Sequence, residues 1–422
     1  MKIYIKTYGC SANQSNSEIM AGLLKKEGYE LTDFENSDLV IINTCTVKLP
    51  TEMKILNKLK ELSKTNKKII ISGCMPLVQL KEIRKTCPKA SIIGLNIEDI
   101  IKIVKKIERN EKIILVKRGK RPKVCIEKVR RNPVISITQI SEGCLGNCAY
   151  CIVKLIKGKI NCFPPELILK DIKKSLKDGC KEIWITSQDN AAYDFNGLKL
   201  PELLNEITKI KGNFRVRIGM MNPKNVLPIL NELIDAYKSE KIFKFLHLPV
   251  QSGSNKVLKL MGRGYKIEDF LKIVKAFRKE FPKLTLSTDI IVGFPGETKK
   301  DFEKSIKLIE KTKPDIVNLS KFGPRPGTKA EKMEKIPEKE IKKRSAEIAK
   351  IINKIKIEKN KEWVDWEGEI LIDEKGTENS WVGRNFAYKP IIIKSNKNLL
   401  GKFVRVKVLE SKLNYLVGFQ IN

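Results

Sequence analysis

The stretch VISITQISEGCLGNCAYC, residues 134–151, decides the fold prediction. Its first eight residues are rich in β-branched side chains, which is typical of a buried strand. Cys144, Cys148 and Cys151 follow in the spacing C-x3-C-x2-C. In a parallel α/β architecture, the loop after a strand lies at the carboxyl edge of the sheet, where reactive sites are found. The stretch therefore predicts a functional loop after the first strand of such a domain.

Further strands and helices alternate after this stretch. The predicted strands are 182–187, 214–220, 243–249, 284–292 and 315–320, with helices after them, for example 166–178 and 298–311. No strand is followed by a GxGxxG turn, which argues against an open dinucleotide-binding sheet. The pattern favours a partial, six-stranded (β/α)6 barrel of the TIM type over residues 134–358.

A second α/β domain precedes the barrel, over residues 1–116. Its predicted strands are 2–8, 38–44, 68–73 and 90–95, and its helices lie near 15–27, 51–64, 77–86 and 97–109. Short apolar strands separated by helices indicate a parallel sheet. Residues 117–133 are rich in lysine and arginine and are interpreted as an exposed basic linker. Residues 361–422 contain short β-rich pieces between turns, which predicts a small β-barrel.

Composition excludes several kinds of site. The chain has 422 residues and a single histidine, His247, so sites that need several imidazoles are excluded. The net charge of +34 favours a polyanionic partner such as nucleic acid, although lysine-rich surfaces can also be simply solvated. No apolar run is long enough to span a bilayer, and we expect a soluble cytoplasmic protein without a membrane partner.

Ten cysteines remain as candidate ligands, and two groups of three stand out. The thiolates of Cys144, Cys148 and Cys151 can hold three irons of a [4Fe–4S] cube and leave the fourth iron open. Three thiolates without a fourth nearby ligand fit a structural zinc site less well, because such a site normally has four ligands. A three-thiol zinc site and chance spacing remain as alternatives.

The second group becomes visible only through the predicted sheet. Cys10, Cys45 and Cys74 each follow a strand of the amino-terminal domain, so all three are expected at one carboxyl edge. Such a triplet again suggests a cluster with one open iron. The alternative is three unrelated buried cysteines.

These cysteines lie in segments that resemble a known family. The segments are TYGCSAN (7–13), INTCTV (42–47), SGC (72–74), ITSQD (185–189), RIGMMNP (217–223), HLPVQSGS (247–254), TDIIVGFPGET (288–298) and RPGT (325–328). Together with C-x3-C-x2-C they resemble the radical S-adenosylmethionine methylthiotransferases over essentially the whole chain. The archaeal and eukaryotic tRNA branch is the most similar, and the carboxyl-terminal piece resembles its RNA-binding TRAM domain.

The resemblance implies a tRNA-modifying enzyme. It would convert N6-threonylcarbamoyladenosine at position 37, next to the anticodon, to its 2-methylthio derivative. It would use two [4Fe–4S] clusters and two molecules of S-adenosylmethionine, with a separate electron donor and sulfur source, as a monomer. The cluster on Cys144, Cys148 and Cys151 would cleave S-adenosylmethionine, and an auxiliary cluster on the other triplet would supply sulfur.

Further site residues are expected at the barrel mouth and on the small barrel. Candidates for the S-adenosylmethionine pocket, each with a structural role as the alternative, are Gln188, Asp189, Arg217, His247 and Gln251. In the carboxyl-terminal piece, acidic residues come early and basic residues late, which we interpret as one basic face. Candidates for RNA contact are Trp381, Arg384, Lys402, Arg405 and Lys407. Lys157 stands where the family often has arginine.

Three other functions are compatible with these residues. The same chemistry could act on isopentenyladenosine in tRNA or on an aspartate of a ribosomal protein. A non-catalytic iron–sulfur protein that binds RNA is a different class. A zinc-bound structural RNA chaperone is the last of them.

Overall fold

The computed structural model of this chain describes residues 1–119 and 121–421. Lys120, in the predicted linker, and Asn422, at the end of the predicted small barrel, lie outside the described residues. Within this range the chain forms three domains, and no helix is long and apolar enough to cross a membrane.

The amino-terminal domain is a wholly parallel six-stranded sheet with helices on its faces. Its order is β2-β1-β3-β4-β5-β6. The strands are β1 (Lys2–Thr7), β2 (Glu30–Leu31), β3 (Leu39–Thr44), β4 (Lys68–Gly73), β5 (Ser91–Ile93) and β6 (Ile114–Leu115). The helices are α1 (Ser11–Lys26), α2 (Leu49–Ser63), α3 (Leu80–Thr86) and α4 (Ile100–Glu108). The four predicted strands are confirmed; β2 and β6, of two residues each, are too short to produce a sequence pattern.

The central domain is the partial barrel. Its six main strands are β7 (Ile135–Gln139), β10 (Glu182–Thr186), β13 (Arg215–Ile218), β14 (Phe245–His247), β15 (Thr285–Val292) and β16 (Ile316–Lys321). Shorter strands are β8 (Ser141–Glu142), β9 (Asn161–Cys162), β11 (Asp194–Phe195) and β12 (Leu198–Lys199). The helices are α5 (Val153–Lys157), α6 (Pro165–Lys177), α7 (Leu200–Lys209), α8 (Pro223–Val226), α9 (Leu230–Tyr237), α10 (Asn255–Leu260), α11 (Ile267–Glu280), α12 (Lys299–Thr312) and α13 (Glu338–Lys361).

Strands β7, β10 and β13 form one parallel sheet and β14, β15 and β16 another. A parallel bridge from Val216 to Ile242 joins the two sheets. Ile183 and Ile185 of β10 pack against the surrounding helices in the main hydrophobic core. Because side chains alternate along a strand, Glu182 and Trp184 of the same strand face the barrel interior.

The third domain is a small closed β-barrel with the order β17-β18-β19-β21-β20. Its strands are β17 (Glu367–Lys375), β18 (Ser380–Arg384), β19 (Pro390–Lys394), β20 (Phe403–Ser411) and β21 (Leu416–Gln420). Trp363 is buried in its core together with the inward-facing isoleucines and valines. The predicted three-part architecture is therefore confirmed.

The predicted exposure of the linker is wrong for the part that approaches the barrel. Lys123 is only 1% exposed, and the Lys128 ammonium forms a buried ion pair with Asp171 at 2.8 Å. A Cβ at Gly22 of α1 would overlap the backbone carbonyl of Glu127, so glycine lets the linker pass directly over this helix. The linker is packed between the amino-terminal domain and α6 rather than solvated.

The small barrel closes the amino-terminal end of the partial barrel. The Tyr388 hydroxyl donates a hydrogen bond to Glu182 Oε1 at 3.0 Å. The Lys389 ammonium pairs with Asp315, which immediately precedes β16, at 2.8 Å. The Lys244 backbone amide, before β14, donates to the Phe386 carbonyl at 2.7 Å. These contacts leave the opposite, carboxyl-terminal end of the strands for the amino-terminal domain.

Glu182 makes this interdomain contact sensitive to pH. Its side chain is fully buried, and burial, followed by the nearby charge of Asp373, raises its pKa to about 8. The folded protein therefore holds this proton to higher pH than the unfolded chain does. The resulting stabilisation is complete below the ordinary glutamate pKa and is lost as pH rises through about 8.

We predict that Glu182→Gln flattens part of this pH dependence, because glutamine resembles the protonated acid and cannot ionise. Thermal melts followed by circular dichroism between pH 5.5 and 9 should show the wild type losing more stability with rising pH than the variant. Glu232→Gln, at an exposed position of α9, is the matched control and should follow the wild type. Parallel profiles for wild type and Glu182→Gln would contradict the prediction.

Candidate functional site

The first cysteine triplet lies at one edge of the amino-terminal sheet. Cys10 follows β1, Cys45 follows β3 and Cys74 follows β4, and these three strands are neighbours in the sheet. The turn at Gly9 has a φ of +102°, and a Cβ there would lie 2.9 Å from the Cys45 sulfur. Glycine thus allows the Cys10 loop to approach Cys45 closely. The edge predicted from the sequence brings the three residues together.

Asn13 ties the three cysteine loops to one another. Its side-chain amide donates to the carbonyls of Tyr8 and Thr44, both at 2.9 Å. Its Oδ1 accepts from the Cys74 thiol at 3.7 Å. Asn13 is fully buried in the first turn of α1, and its contacts with Thr44 and Cys74 are buried as well. A single side chain therefore sets the positions of residues that lie far apart in sequence.

The second triplet wraps around Gly146. The Gly146 amide donates to Cys144 Sγ at 3.2 Å, and a Cβ at Gly146 would lie 3.7 Å from Cys148 Sγ. The Cys151 amide donates to the Cys148 carbonyl at 3.0 Å, which closes the loop before α5. The Arg263 guanidinium donates to Cys148 Sγ at 3.3 Å from within the barrel. The three thiols converge on one short loop at the barrel mouth.

The two triplets face each other across the interface between the domains. Ser11, next to Cys10, hydrogen-bonds Thr186 at the carboxyl end of β10, with 2.8 Å between the hydroxyls. Cys74 packs in one apolar cluster with Ile152, the residue directly before α5, and with Ile156 inside that helix. The carboxyl edges of the two parallel sheets are therefore opposed, and both cysteine loops border the same space.

Burial and mutual charge act on these thiols together. Burial raises the pKa of Cys74 and of Cys151 to about 12, with the charges of the other two cysteines of each triplet acting in the same direction. Burial also raises the pKa of Cys45 and of Cys144. Each triplet is thus close enough for its members to interact electrostatically.

The donor set fits iron–sulfur cubes better than single metal ions. Among the described residues, no three His, Cys, Asp or Glu side chains converge on a position for one metal ion. In a cube each thiolate binds a different iron, so its ligands lie farther apart than around zinc. Each triplet places three thiols on one loop or on neighbouring loops, as a cube requires; Cys45 and Cys74 are buried, Cys10 is exposed, and Cys144, Cys148 and Cys151 are half-buried.

Comparisons with known proteins agree with the three domains. The Radical SAM superfamily matches residues 138–309, the uncharacterized protein family UPF0004 matches residues 2–94, and the TRAM domain matches residues 367–418. A "Probable threonylcarbamoyladenosine tRNA methylthiotransferase" of Pyrococcus horikoshii is 42% identical over 99% of both chains. The human threonylcarbamoyladenosine tRNA methylthiotransferase is 34% identical, over 99% of this chain and 73% of that protein. This chain belongs to that family.

Solved structures with the same fold are more distant. One is the radical S-adenosylmethionine methyltransferase TsrM from Kitasatospora setae, with cobalamin and a [4Fe–4S] cluster bound. It superposes with a TM-score of 0.58 at 13% sequence identity, and the alignment covers 78% of this chain and 74% of the TsrM chain. The cobalamin-dependent S-adenosylmethionine radical enzyme OxsB, with aqua-cobalamin and S-adenosylmethionine bound, superposes with a TM-score of 0.53 at 14% sequence identity. The alignment covers 84% of this chain and 56% of the OxsB chain. At this identity the likeness concerns the fold.

Two of the predicted S-adenosylmethionine residues lie beside the family's C-x3-C-x2-C loop. Gln188 Oε1 accepts a hydrogen bond from the Gly143 amide at 2.7 Å, directly before Cys144. Asp189 is buried and accepts from the Asn222 amide at 2.9 Å and from Asn225 Nδ2 at 2.7 Å. Burial raises the pKa of Asp189 to about 6. In this structure both residues anchor loops at the barrel mouth.

The other three predicted pocket residues are spread along the barrel interior. His247 Nε2 lies 3.1 Å from Asp289 Oδ1, which also accepts from Asn318 at 2.7 Å. The Gln251 backbone has a φ of +73°, and its amide donates to the Asp289 carbonyl at 2.7 Å. Arg217 does not fit the expectation of a mouth residue.

Arg217 is instead surrounded by aromatic rings near the closed end of the barrel. Its guanidinium lies 5.0 Å from the ring centres of Trp184 and Phe245 and 5.2 Å from that of Tyr388. Tyr388 belongs to the small barrel that closes this end. Cation–π contact with three rings explains how this arginine is held away from the cysteines.

The predicted basic face of the small barrel is wrong. Strands β17 and β20 are neighbours, so Glu367 lies opposite Lys407 and Glu369 opposite Arg405. The Lys407 ammonium forms an ion pair with Glu367 at 3.0 Å. Early acidic and late basic residues are thus paired across strands instead of separated, because barrel closure brings the first and fourth strands together.

Two of the RNA candidates are also unavailable for contact. Trp381 is 8% exposed, and its Nε1 donates to the Ser395 carbonyl at 3.1 Å. Arg384 pairs with Asp373 at 3.0 Å and lies over the Tyr388 ring, within the interface between the two barrels. Lys402 and Arg405 are exposed, and for these two residues RNA contact stays a prediction.

Sequence reasoning missed the residues that support the cysteines. Asn13 stands inside the quoted segment TYGCSAN. Arg325, which donates to Thr46 Oγ1 beside Cys45 at 2.6 Å, stands inside RPGT. Nothing in the spacing assigns either residue a role. Arg263 lies in MGRGY, residues 261–265, where flanking glycines are the only unusual local feature. Their contacts join distant segments, and these are created only by folding.

We predict that Asn13→Ala destabilises the iron-free protein by about 1–3 kcal/mol, because the carbonyls of Tyr8 and Thr44 lose a buried donor. The measurement is chemical denaturation of apoprotein followed by circular dichroism. Asn57→Ala, at an exposed position of α2, is the control and should remain within about 0.5 kcal/mol of the wild type. Equal stability of the two variants would contradict the organising role of Asn13.

Proposed function

We propose that this chain methylthiolates C2 of N6-threonylcarbamoyladenosine at position 37 of tRNA, using two [4Fe–4S] clusters and two molecules of S-adenosylmethionine. Cys144, Cys148 and Cys151 would hold one cluster, and Cys10, Cys45 and Cys74 the auxiliary one. The relatives' names support the substrate. An electron donor and a sulfur source are required partners, and the protein acts as a cytoplasmic monomer.

The opposition of the two triplets is the observation that carries this proposal. An aromatic C–H bond is too inert for acid–base catalysis at neutral pH, and the clusters with S-adenosylmethionine would supply radical chemistry and sulfur. The chain contributes two cysteine loops that border one space, joined by the contact between Ser11 and Thr186. A substrate base placed in that space would be within reach of both loops.

Exposed apolar side chains follow the cysteines of both loops in the sequence. Val47 and Leu49 follow Cys45 and are 43% and 42% exposed. Leu145 follows Cys144 at 57% exposed, and Leu155 lies in α5 at 43%. Exposed large apolar residues in one region indicate a binding surface. A nucleobase that leaves its stack in a single-stranded loop can bury its faces against such side chains.

The direct test is nucleoside mass spectrometry. Transfer RNA containing N6-threonylcarbamoyladenosine would be incubated anaerobically with reconstituted protein, S-adenosylmethionine, sulfide and a strong reductant. We expect a mass gain that corresponds to methylthio on that nucleoside, and its loss in both Cys144→Ala and Cys10→Ala. Cys180→Ala, a buried cysteine outside both triplets, is the matched control and should retain product.

The other outcomes separate the competing functions. Release of 5′-deoxyadenosine without product would retain the radical chemistry and redirect the search to tRNA with isopentenyladenosine or to a ribosomal protein. Neither product from protein that holds both clusters would favour a non-catalytic iron–sulfur RNA-binding protein. Zinc in anaerobically purified protein, without visible absorption, would favour the structural chaperone.

We also predict that Lys402 and Arg405 contribute to tRNA binding through phosphate contacts. The double variant Lys402→Ala/Arg405→Ala should bind tRNA more weakly, and the slope of log affinity against log salt should fall by roughly one to two units, since each lost phosphate contact removes about one. Filter binding over a salt series measures this slope. Lys407→Ala is the control, because Lys407 is paired with Glu367. An unchanged slope in the double variant would remove these residues from the interface.

A further inference from the structure

Five charged side chains are buried beside the first triplet. Glu142 Oε1 accepts from the ammonium groups of both Lys123, at 2.9 Å, and Lys157, at 3.0 Å. Arg325 forms an ion pair with Glu52. All five side chains belong to residues that are at most 9% exposed. They come from the linker, both cysteine-bearing domains and the RPGT segment, so the group exists only in the folded protein.

This group carries an excess of positive charge. Three cations are paired with two carboxylates, and within the described ranges their ion pairs are only with one another. Burying a charge that has no opposite charge beside it typically costs several kcal/mol. The arrangement is therefore complementary to an anionic group that occupies the neighbouring space.

Hydrogen-bond donors are also left over. Nε and Nη1 of Arg325 are buried and have no partner among the described residues, while Nη2 contacts Thr46 Oγ1 at 2.6 Å. An ammonium has three N–H bonds, and Lys157 has only the Glu142 oxygen as an acceptor in the described part of the chain. Two buried cations thus keep donors for an acceptor that the protein itself does not supply.

These donors lie on two sides of the first triplet. Arg325 contacts Thr46, the residue after Cys45. Lys157 follows Ile156, which packs with Cys74 in one cluster. Both cations therefore lie beside loops that carry cysteines of the first triplet.

We propose that Lys157 and Arg325 are positioning residues that form a cationic cradle for the auxiliary cluster and raise its reduction potential. This inference rests on the second cluster of the proposed function. A [4Fe–4S] core held by three thiolates is anionic, and its sulfur atoms accept hydrogen bonds that tune its potential. One-electron reduction adds a further negative charge, so adjacent buried cations stabilise the reduced form more than the oxidised one.

The test isolates the auxiliary cluster. The triple variant Cys144→Ala/Cys148→Ala/Cys151→Ala would be reconstituted anaerobically with iron and sulfide. Its midpoint potential would be measured by titration with a one-electron chemical reductant, followed by electron paramagnetic resonance. Lys157→Met and Arg325→Gln, each added to this background, should shift the potential to more negative values. Lys159→Met and Arg121→Gln, at exposed positions nearby, are matched controls and should leave it unchanged.

Conservative variants distinguish charge from shape. Lys157→Arg and Arg325→Lys keep the cation and should restore the potential most of the way to that of the background protein. In the reciprocal background, Cys10→Ala/Cys45→Ala/Cys74→Ala, Lys157→Met should leave the potential of the remaining cluster nearly unchanged. Loss of iron from Lys157→Met that Lys157→Arg recovers would also support the cradle.

The opposite outcomes are equally clear. Full iron content with an unshifted potential in both Lys157→Met and Arg325→Gln would overturn the cradle and leave the proposed function standing. Equal loss of the cluster in Lys157→Met and Lys157→Arg, with native circular dichroism, would overturn the charge argument. Failure of the background triple variant to hold any cluster would overturn the second cluster of the proposed function and the cradle with it.

Discussion

Opposed carboxyl edges of two parallel sheets create the site. A parallel strand ends in a loop at the same edge as its neighbours, so residues far apart in sequence meet there. The contact between Ser11 and Thr186 and the packing of Cys74 against Ile156 hold one edge against the other. Without this opposition, the two cysteine loops would be separated and each would face solvent.

Buried charge reinforces the same interface. Lys123, Glu142 and Lys157 bring the linker and the barrel together, and Arg325 reaches across to Glu52. Buried ion pairs contribute little net stability, because desolvation offsets their attraction. They do penalise alternative arrangements in which one partner is left unpaired. The pairs therefore favour one relative placement of the two cysteine-bearing domains more than they stabilise the fold as a whole.

The two ends of the partial barrel have different roles. At the amino-terminal end, Arg217 and Arg384 are occupied by aromatic rings and by Asp373, and the small barrel seals the interior. At the carboxyl-terminal end, the loop that carries Cys144 and Cys148 also carries the exposed Leu145. Arginines of this very basic chain thus serve structural contacts where the small barrel meets the partial barrel.

Strong local patterns allowed the sequence by itself to determine the three-domain architecture, the six main strands of the barrel and the placement of two cysteine triplets after strands. Strand periodicity and C-x3-C-x2-C spacing are local properties, and parallel-sheet geometry extends them to Cys10, Cys45 and Cys74. Only the tertiary structure decided which charged side chains are paired or buried and which are exposed. Cross-strand pairing of Glu367 with Lys407 removed the predicted basic face, and domain packing buried Lys123 in a linker expected to be exposed. Those outcomes depend on which distant segments become neighbours, and one-dimensional charge patterns carry no information about that.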